Sequence, residues 1–245
     1  AYWRLGEISG DFVDTATLGA QSNNGTAAGT LTRGVAGAIL QDDLAVTFDG
    51  STGYIFAANA SDFNTGDVFT LEAWIRKAAD ATEMQIMSRG LDGWDFRVRS
   101  TDLLALVEEF GIVIVESTTT ITGTGWHHVV ATKNGSTVRL YIDGVDRTGT
   151  VTNATITDPV ASVNIGRNST AGTLFWNGSL DEVAIYPTAL SAPQVLAHYN
   201  AGTLGGGIRA RITFDTGDWL EYNRTSDYFS FAIGEDEQLR IDVDG

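Results

Sequence analysis

Residues 68–77, VFTLEAWIRK, place Phe69, Leu71, Ala73 and Ile75 on one parity and Thr70, Glu72, Trp74 and Arg76 on the other. A period of two predicts a strand with one apolar face. Comparable short runs recur along the chain: LAVTFDG (44–50), GYIFAA (53–58), WDFRVRS (94–100), GIVIVES (111–117), WHHVVATK (126–133), TVRLYIDG (137–144), ASVNIGR (161–167) and LDEVAIY (180–186). Gly, Asn, Asp and Thr separate them, and Asn134-Gly135 between two runs is a hairpin signal. About ten short strands at regular spacing predict an antiparallel sandwich or barrel.

One helix is expected, in LSAPQVLAHYNAG (190–202). Ser191 serves as N-cap, Pro193 fits the first turn, and Gln194 completes a capping box. Asn200 to Gly202 should stop it after about two turns. The run LDEVAIY has a flaw. Leu180 lies on one parity and Val183 and Ile185 on the other, with Asp181 and Glu182 between them. Two carboxylates at a parity slip suggest chemistry, an ion, or a β-bulge.

Beyond residue 202 the composition changes. TLGGG (203–207) reads as a flexible joint. Four short runs follow, IRARITF, WLEYN, YFSFAI and QLRIDV, with DTGD, RTSD and GEDE as turns. About 40 residues cannot bury a self-sufficient core without a metal, a disulfide or a partner. The chain has no cysteine, so residues 208–245 are expected to self-associate or to dock on another chain. The opening AYWRLGE has no leader pattern, and the closing DVDG is a turn with nothing after it. Processing before Ala1 and continuation past Gly245 are therefore expected.

Composition narrows the partners. Asp and Glu number 31 against 15 Lys and Arg, giving a net charge of −16. That field repels phosphates, so no nucleic-acid partner is expected. Lys77 and Lys133 are the lysines; every other cationic side chain is arginine. No run approaches the roughly 18 apolar residues of a membrane helix, so no membrane insertion is expected. Neither a G-x-S-x-G elbow nor a phosphate loop occurs. His127 and His128 are strand neighbours and point to opposite faces, and His198 belongs to the helix.

The segments YWRLGE, VTFDGSTGYI, FTLEAWIR, GWHHVVATKNGSTVRLYIDG, NIGR and FWNGSLDEVAIYPTALSAPQVLAHYNAG, taken in order, resemble laminin-G-like, concanavalin A-like jelly-roll domains over residues 2–202. The resemblance implies an all-β, two-sheet antiparallel sandwich with one short helix, whose first and last strands pair. Glucanases of this fold carry an E-x-D-x-x-E pattern on one strand. The pattern does not occur here, and adjacent Glu108 and Glu109 would point to opposite faces, so no enzymatic activity is expected.

Many members of the family hold calcium on one rim. If VTFDG and SLDEVAIY are the first and last core strands, Asp49 and Asp181 could hold Ca²⁺ together with carbonyls of residues 50–53. The alternative is that Asp49 caps a turn and Asp181 sits in a bulge. Trp94 and Trp176, in loops, could stack on sugar rings as in carbohydrate-binding modules of this architecture, or could be tucked into their own turns. Trp74 and Trp126 are expected in the core or on a sheet face.

The tail resembles small β-modules of tailed-phage fibre and other virion proteins, which implies a C-terminal β-meander and a homo-oligomer, a trimer foremost. Together these readings imply a non-catalytic virion protein: a phage fibre, head fibre or capsid decoration. Its partners would be other virion subunits and a host-surface glycan or protein. The alternative is a secreted bacterial adhesin or polysaccharide-binding module.

Overall fold

The computed structural model describes residues 1–16, 23–39, 43–108 and 111–203, and the backbone of four strands beyond them. In chain order the strands are β1 Tyr2–Trp3, β2 Gly25–Ala28, β3 Leu31–Ala36, β4 Leu44–Asp49, β5 Tyr54–Ala57, β6 Val68–Lys77, β7 Met84–Ser88, β8 Trp94–Val98, β9 Leu103–Glu108 and β10 Ile112–Thr120. They continue with β11 Trp126–Asn134, β12 Thr137–Ile142, β13 Val145–Asp146, β14 Val163–Ile165 and β15 Asn177–Tyr186, followed by helix α1 Ala192–Thr203. The tail contributes β16 Ile212–Asp215, β17 Asp218–Asn223, β18 Tyr228–Ile233 and β19 Glu237–Asp242.

Two antiparallel sheets face each other. The larger runs β13-β12-β11-β6-β15-β4-β3, with β1 added on β15; the other runs β10-β9-β8-β7-β14-β5-β2. This is an antiparallel sandwich, as the alternation allows, with the jelly-roll form that the family resemblance implies, and its first and last strands pair through Tyr2 with Ala184 and Trp3 with Val183. Phe69, Leu71, Ala73 and Ile75 of β6 lie in the core with Val46, Phe48, Phe96, Leu104, Leu106, Val129 and Ala131. The C-terminal strands form a separate antiparallel meander, β16-β17-β18-β19, within a second compact unit. The joint expected at 203–207 begins with Thr203, the last residue of α1; residues 204–207 lie outside the described residues.

The parity slip in LDEVAIY is a bulge. Asp181 pairs with Trp74 and Ala184 with Glu72, so Glu182 and Val183 together oppose Ala73. Glu182 takes a positive φ of 48°, which turns the chain by one residue. Leu180 before the bulge and Val183 and Ile185 after it all reach the core.

Helix α1 covers part of the larger sheet's outer face. Ser191 N–H donates to Gln194 Oε1 at 2.9 Å, the reciprocal half of a capping box. The helix runs 12 residues, longer than the two turns expected. Val195 packs on Val130 and Tyr141, and the Tyr199 ring stacks on Trp74 at 5.9 Å. Gly144 makes this approach possible, because a Cβ there would lie 2.9 Å from Leu196 and 3.0 Å from Tyr199.

Buried cations tie the loops. The Arg89 guanidinium donates to the carbonyls of Phe63 and Pro159 and to Asn59, Asn64 and Asp158. Lys77 meets Asp80 at 2.9 Å and Asp102 at 2.6 Å, and Lys133 meets Asp67 at 2.8 Å. Arg89→Met removes donors from two carbonyls and three side chains at once, so it should cost about 3 kcal/mol. The urea midpoint checks this; a loss below about 1 kcal/mol would mean the three loops do not depend on Arg89.

Candidate functional site

The bulge decides where the acidic groups go. Asp181, on the outer parity of β15, is fully buried. Its Oδ2 accepts the Ala38 N–H at 2.8 Å, its Oδ1 accepts the Glu182 N–H at 3.0 Å, and it shares a hydrogen bond with Asp43. A Cβ on Gly37 would lie 2.4 Å from Asp43 Oδ2 and 2.8 Å from Asp181 Oδ2, so the two carboxylates converge on bare backbone. Glu182 joins them: one oxygen from each of Asp43, Asp181 and Glu182 lies within 4.8 Å of the others. Arg4 approaches Asp43 at 3.5 Å and Glu182 Oε1 at 3.4 Å from an exposed position.

Burial and the Asp43 hydrogen bond push the Asp181 carboxyl up to about 9, and burial pushes Glu182 up to about 7. Glu182 Oε2 is buried with no hydrogen-bond partner among the described residues. Carboxylates that resist ionisation and leave an oxygen unmatched are what a hard cation would correct.

Asp49 is not part of this cluster. It pairs with Asn177, four residues before Asp181 along β15, a separation of about 13 Å. Its carboxylate is consumed by the turn that follows: Oδ1 accepts the N–H groups of Ser51, Thr52 and Gly53, and Oδ2 accepts the hydroxyls of Ser51 and Thr52. Desolvation opposes ionisation, but these bonds together outweigh it and hold the carboxyl well below the usual range. The expected Asp49–Asp181 pair is thus replaced by Asp43 with Asp181. Asp43 carries no local signal in the sequence.

The two loop tryptophans are corrected as well. Trp94 is 1% exposed and packs against Phe69, and Trp176 is 0% exposed in the same core. Neither can stack on a sugar. Trp94 opens β8 and Trp176 immediately precedes β15, and both rings lie in the core, which a loop-like sequence context does not reveal.

A second polar cluster lies under α1. His128 Nε2 meets Glu72 Oε1 at 2.7 Å, and His198 Nδ1 meets Glu72 Oε2 at 3.0 Å. The Tyr186 hydroxyl also donates to Glu72. Burial opposes the Glu72 charge, yet the two histidines outweigh it and hold the carboxyl down to about 2. His127, on the other face, bonds Asp143 at 2.8 Å. Among the described residues, acids on the outer face of the smaller sheet are drawn into ion pairs: Glu116, opposite Ala105, meets Arg99 at 3.7 Å, and Glu83 meets Arg97 and Arg99 at 3.5 and 3.3 Å. β8 presents Asp95, bonded by Asn168 at 3.1 Å, beside Arg97, and β9 presents Ala105 and Val107. Glu109 lies outside the described residues.

These shifts fix the pH dependence. Asp181 and Glu182 bind protons more tightly folded than unfolded, so their contribution is present below pH 4 and is lost as pH rises through about 7 and about 9. Glu72 has the opposite sign: its contribution holds above pH 4.5 and is lost as pH falls towards about 2. In chelator, the melting temperature should peak near pH 5 and fall towards pH 9. Asp181→Asn should flatten the alkaline side. A wild-type profile that is flat from pH 5 to 9 in chelator would contradict this reading.

Residues 49–196 match the family described as the concanavalin A-like lectin/glucanases superfamily. No curated protein matches the sequence. Domain 4 of AbnA, an extracellular arabinanase of Geobacillus stearothermophilus solved with arabinotriose, superposes with a TM-score of 0.57 at 17% identity, covering 71% of this chain and 87% of that one. The binding domain of Paraclostridial Mosquitocidal Protein 1 gives 0.61 at 16% identity, covering 94% of this chain and 62% of that one. The binding domain of botulinum neurotoxin serotype G gives 0.56 at 14% identity, covering 95% and 63%. The chain thus spans less than two thirds of either toxin binding domain. Among the described residues no helix is long and apolar enough to cross a membrane. The match over more than half its length makes this chain a member of the concanavalin A-like lectin/glucanases superfamily.

Proposed function

We propose that the chain is a non-catalytic recognition protein that binds carbohydrate through its jelly-roll domain and is held in a larger surface assembly by its C-terminal meander. The observation that carries this reading is how the acids are used. Asp49 caps a turn, Glu72 anchors two histidines beneath α1, and Asp43, Asp181 and Glu182 crowd together behind the sheet. Asp43, Asp181 and Glu182 face one another in a cluster, and Glu83, Asp95 and Glu116 each lie within ion-pair distance of an arginine, whereas glycoside hydrolysis requires two carboxyls flanking a bound sugar. The arabinotriose held by AbnA domain 4 and the binding roles of the two toxin domains support recognition of a cell-surface glycan or protein.

Asp43, Asp181 and Glu182 are assigned to a structural Ca²⁺, which would supply the charge that their burial lacks. The meander is assigned to self-association, with a trimer foremost, because display in several copies turns weak binding into avidity. A tailed-phage particle is the preferred setting, as a fibre, head fibre or capsid decoration. A secreted bacterial adhesin is the second reading, favoured by the extracellular origin of the arabinanase relative.

A glycan array probed with the whole chain should show binding to a restricted set of glycans, with no release of reducing ends on prolonged incubation. Release that a single Asp or Glu substitution abolishes would overturn the non-catalytic assignment.

A further inference from the structure

Across the outer face of the larger sheet, five side chains stand in one row. Trp126 pairs with Arg76, Arg76 with Ser179, Ser179 with Thr47, and Thr47 with Thr32. Their strand neighbours Ile75, Leu180, Val46 and Phe48 point into the core, so the row points out. Helix α1 covers other positions, seating Tyr199 on Trp74, His198 on Glu72 and Val195 on Val130. Trp126, Arg76 and Thr47 are half-buried, Thr32 is exposed, and Ser179 at the centre of the row is buried.

The row is chemically continuous. The Arg76 guanidinium lies 5.0 Å from the Trp126 ring centre, and its Nη2 donates to Ser179 Oγ at 3.0 Å. Ser179 Oγ is in turn 2.7 Å from Thr47 Oγ1. Among the described residues no carboxylate lies within ion-pair distance of Arg76, although the chain has 31 acidic residues to 15 Lys and Arg. Arg89, Arg97 and Arg99 each have such a partner, whereas Arg33 and Arg167, like Arg76, instead lie over aromatic rings. A planar guanidinium on a sheet face is suited to a carboxylate. The tryptophan beside it offers a flat face to a sugar ring, and the Thr47 and Thr32 hydroxyls offer donors and acceptors, while buried Ser179 holds Arg76 in place. Five strands at their usual spacing span about 19 Å, the reach of an oligosaccharide rather than of a single ring.

We propose that this row binds a linear carboxylated oligosaccharide, a uronate-containing chain lying across the strands, with a carboxylate on Arg76 and a ring on Trp126. The assignment rests on the carbohydrate-recognition reading above and names the ligand class and the face. It places the ligand on the helix-bearing sheet rather than at Trp94 and Trp176.

Because a net charge of −16 repels a polyanion, the test is calorimetry of the whole chain against a neutral glucan oligomer and one of equal length that carries a single uronate. The uronate-bearing oligomer should bind, more weakly as salt is raised, and the neutral oligomer should bind at least tenfold more weakly. Arg76→Gln and Trp126→Ala should each cost tenfold or more. Thr32→Glu, at an exposed position of β3, should cost several-fold by charge repulsion. Equal binding by all three variants of whichever glycan the chain binds would overturn the row and leave carbohydrate recognition standing. Neutral oligomer bound as tightly as acidic, with Trp126 required and Arg76 not, would overturn the carboxylate assignment. No glycan bound by the wild type, on the array or in solution, would overturn both.

Discussion

The structure turns on a single extra residue in β15. Ten residues of this strand must serve three neighbours: β6 along one side, and β4 and then β1 along the other. A regular strand could not keep its apolar side chains in the core across that change, because side chains alternate strictly. The bulge at Glu182 and Val183 resets the parity. It lets Leu180 pack beside β4 while Val183 and Ile185 pack beside β1. The chain's first strand can then close the sheet on its last. The same kink buries Asp181 and Glu182 next to Asp43 and gathers three carboxylates within 4.8 Å of one another.

A protein with no disulfide and a large negative charge must hold its loops by other means. Here the interior cations do so. Both lysines are buried and paired, and Arg89 fastens three loops from inside. The cationic side chains left at the surface are arginines, whose planar heads suit shared and stacked contacts better than lysine would. Arg33 over Phe12, Arg167 over Tyr54 and Arg76 near Trp126 are all of this kind. The lysine-poor composition thus becomes a statement about where charge is placed.

Much of the fold was legible because β6, β11 and β12 alternate cleanly and the hairpin between β11 and β12 carries Asn134-Gly135. The slip at Asp181–Glu182 was legible as a bulge for the same reason. β9, LLALVE, and β7, MQIMS, were not, since strands buried on both faces lose the period of two. β2 and β3 were obscured by Gly25 and Gly34 and by small or polar residues. At the site, Asp181 was found and Asp43 was missed. Asp43 and Asp181 meet only through strand pairing across more than a hundred residues, which no local spacing encodes. The convergence of His128 and His198 on Glu72 was hidden in the same way. Trp94 and Trp176 misled because polar neighbours suggest a loop but do not say which way its aromatic ring turns.

The measurement that bears most directly on this account is a pair of deletions at the bulge. Removing Glu182 alone leaves Val183 opposite Ala73, Ala184 opposite Glu72 and Ile185 opposite Leu71, so Leu180, Val183 and Ile185 alternate regularly on the core face. Removing Glu182 and Val183 together puts Ile185 opposite Glu72, on the outer parity from Leu180. The account predicts that the single deletion keeps a cooperative thermal transition and protected core amides and that the double deletion loses both. A double deletion that melts cooperatively with the stability of the parent, or a single deletion that does not fold, would contradict it.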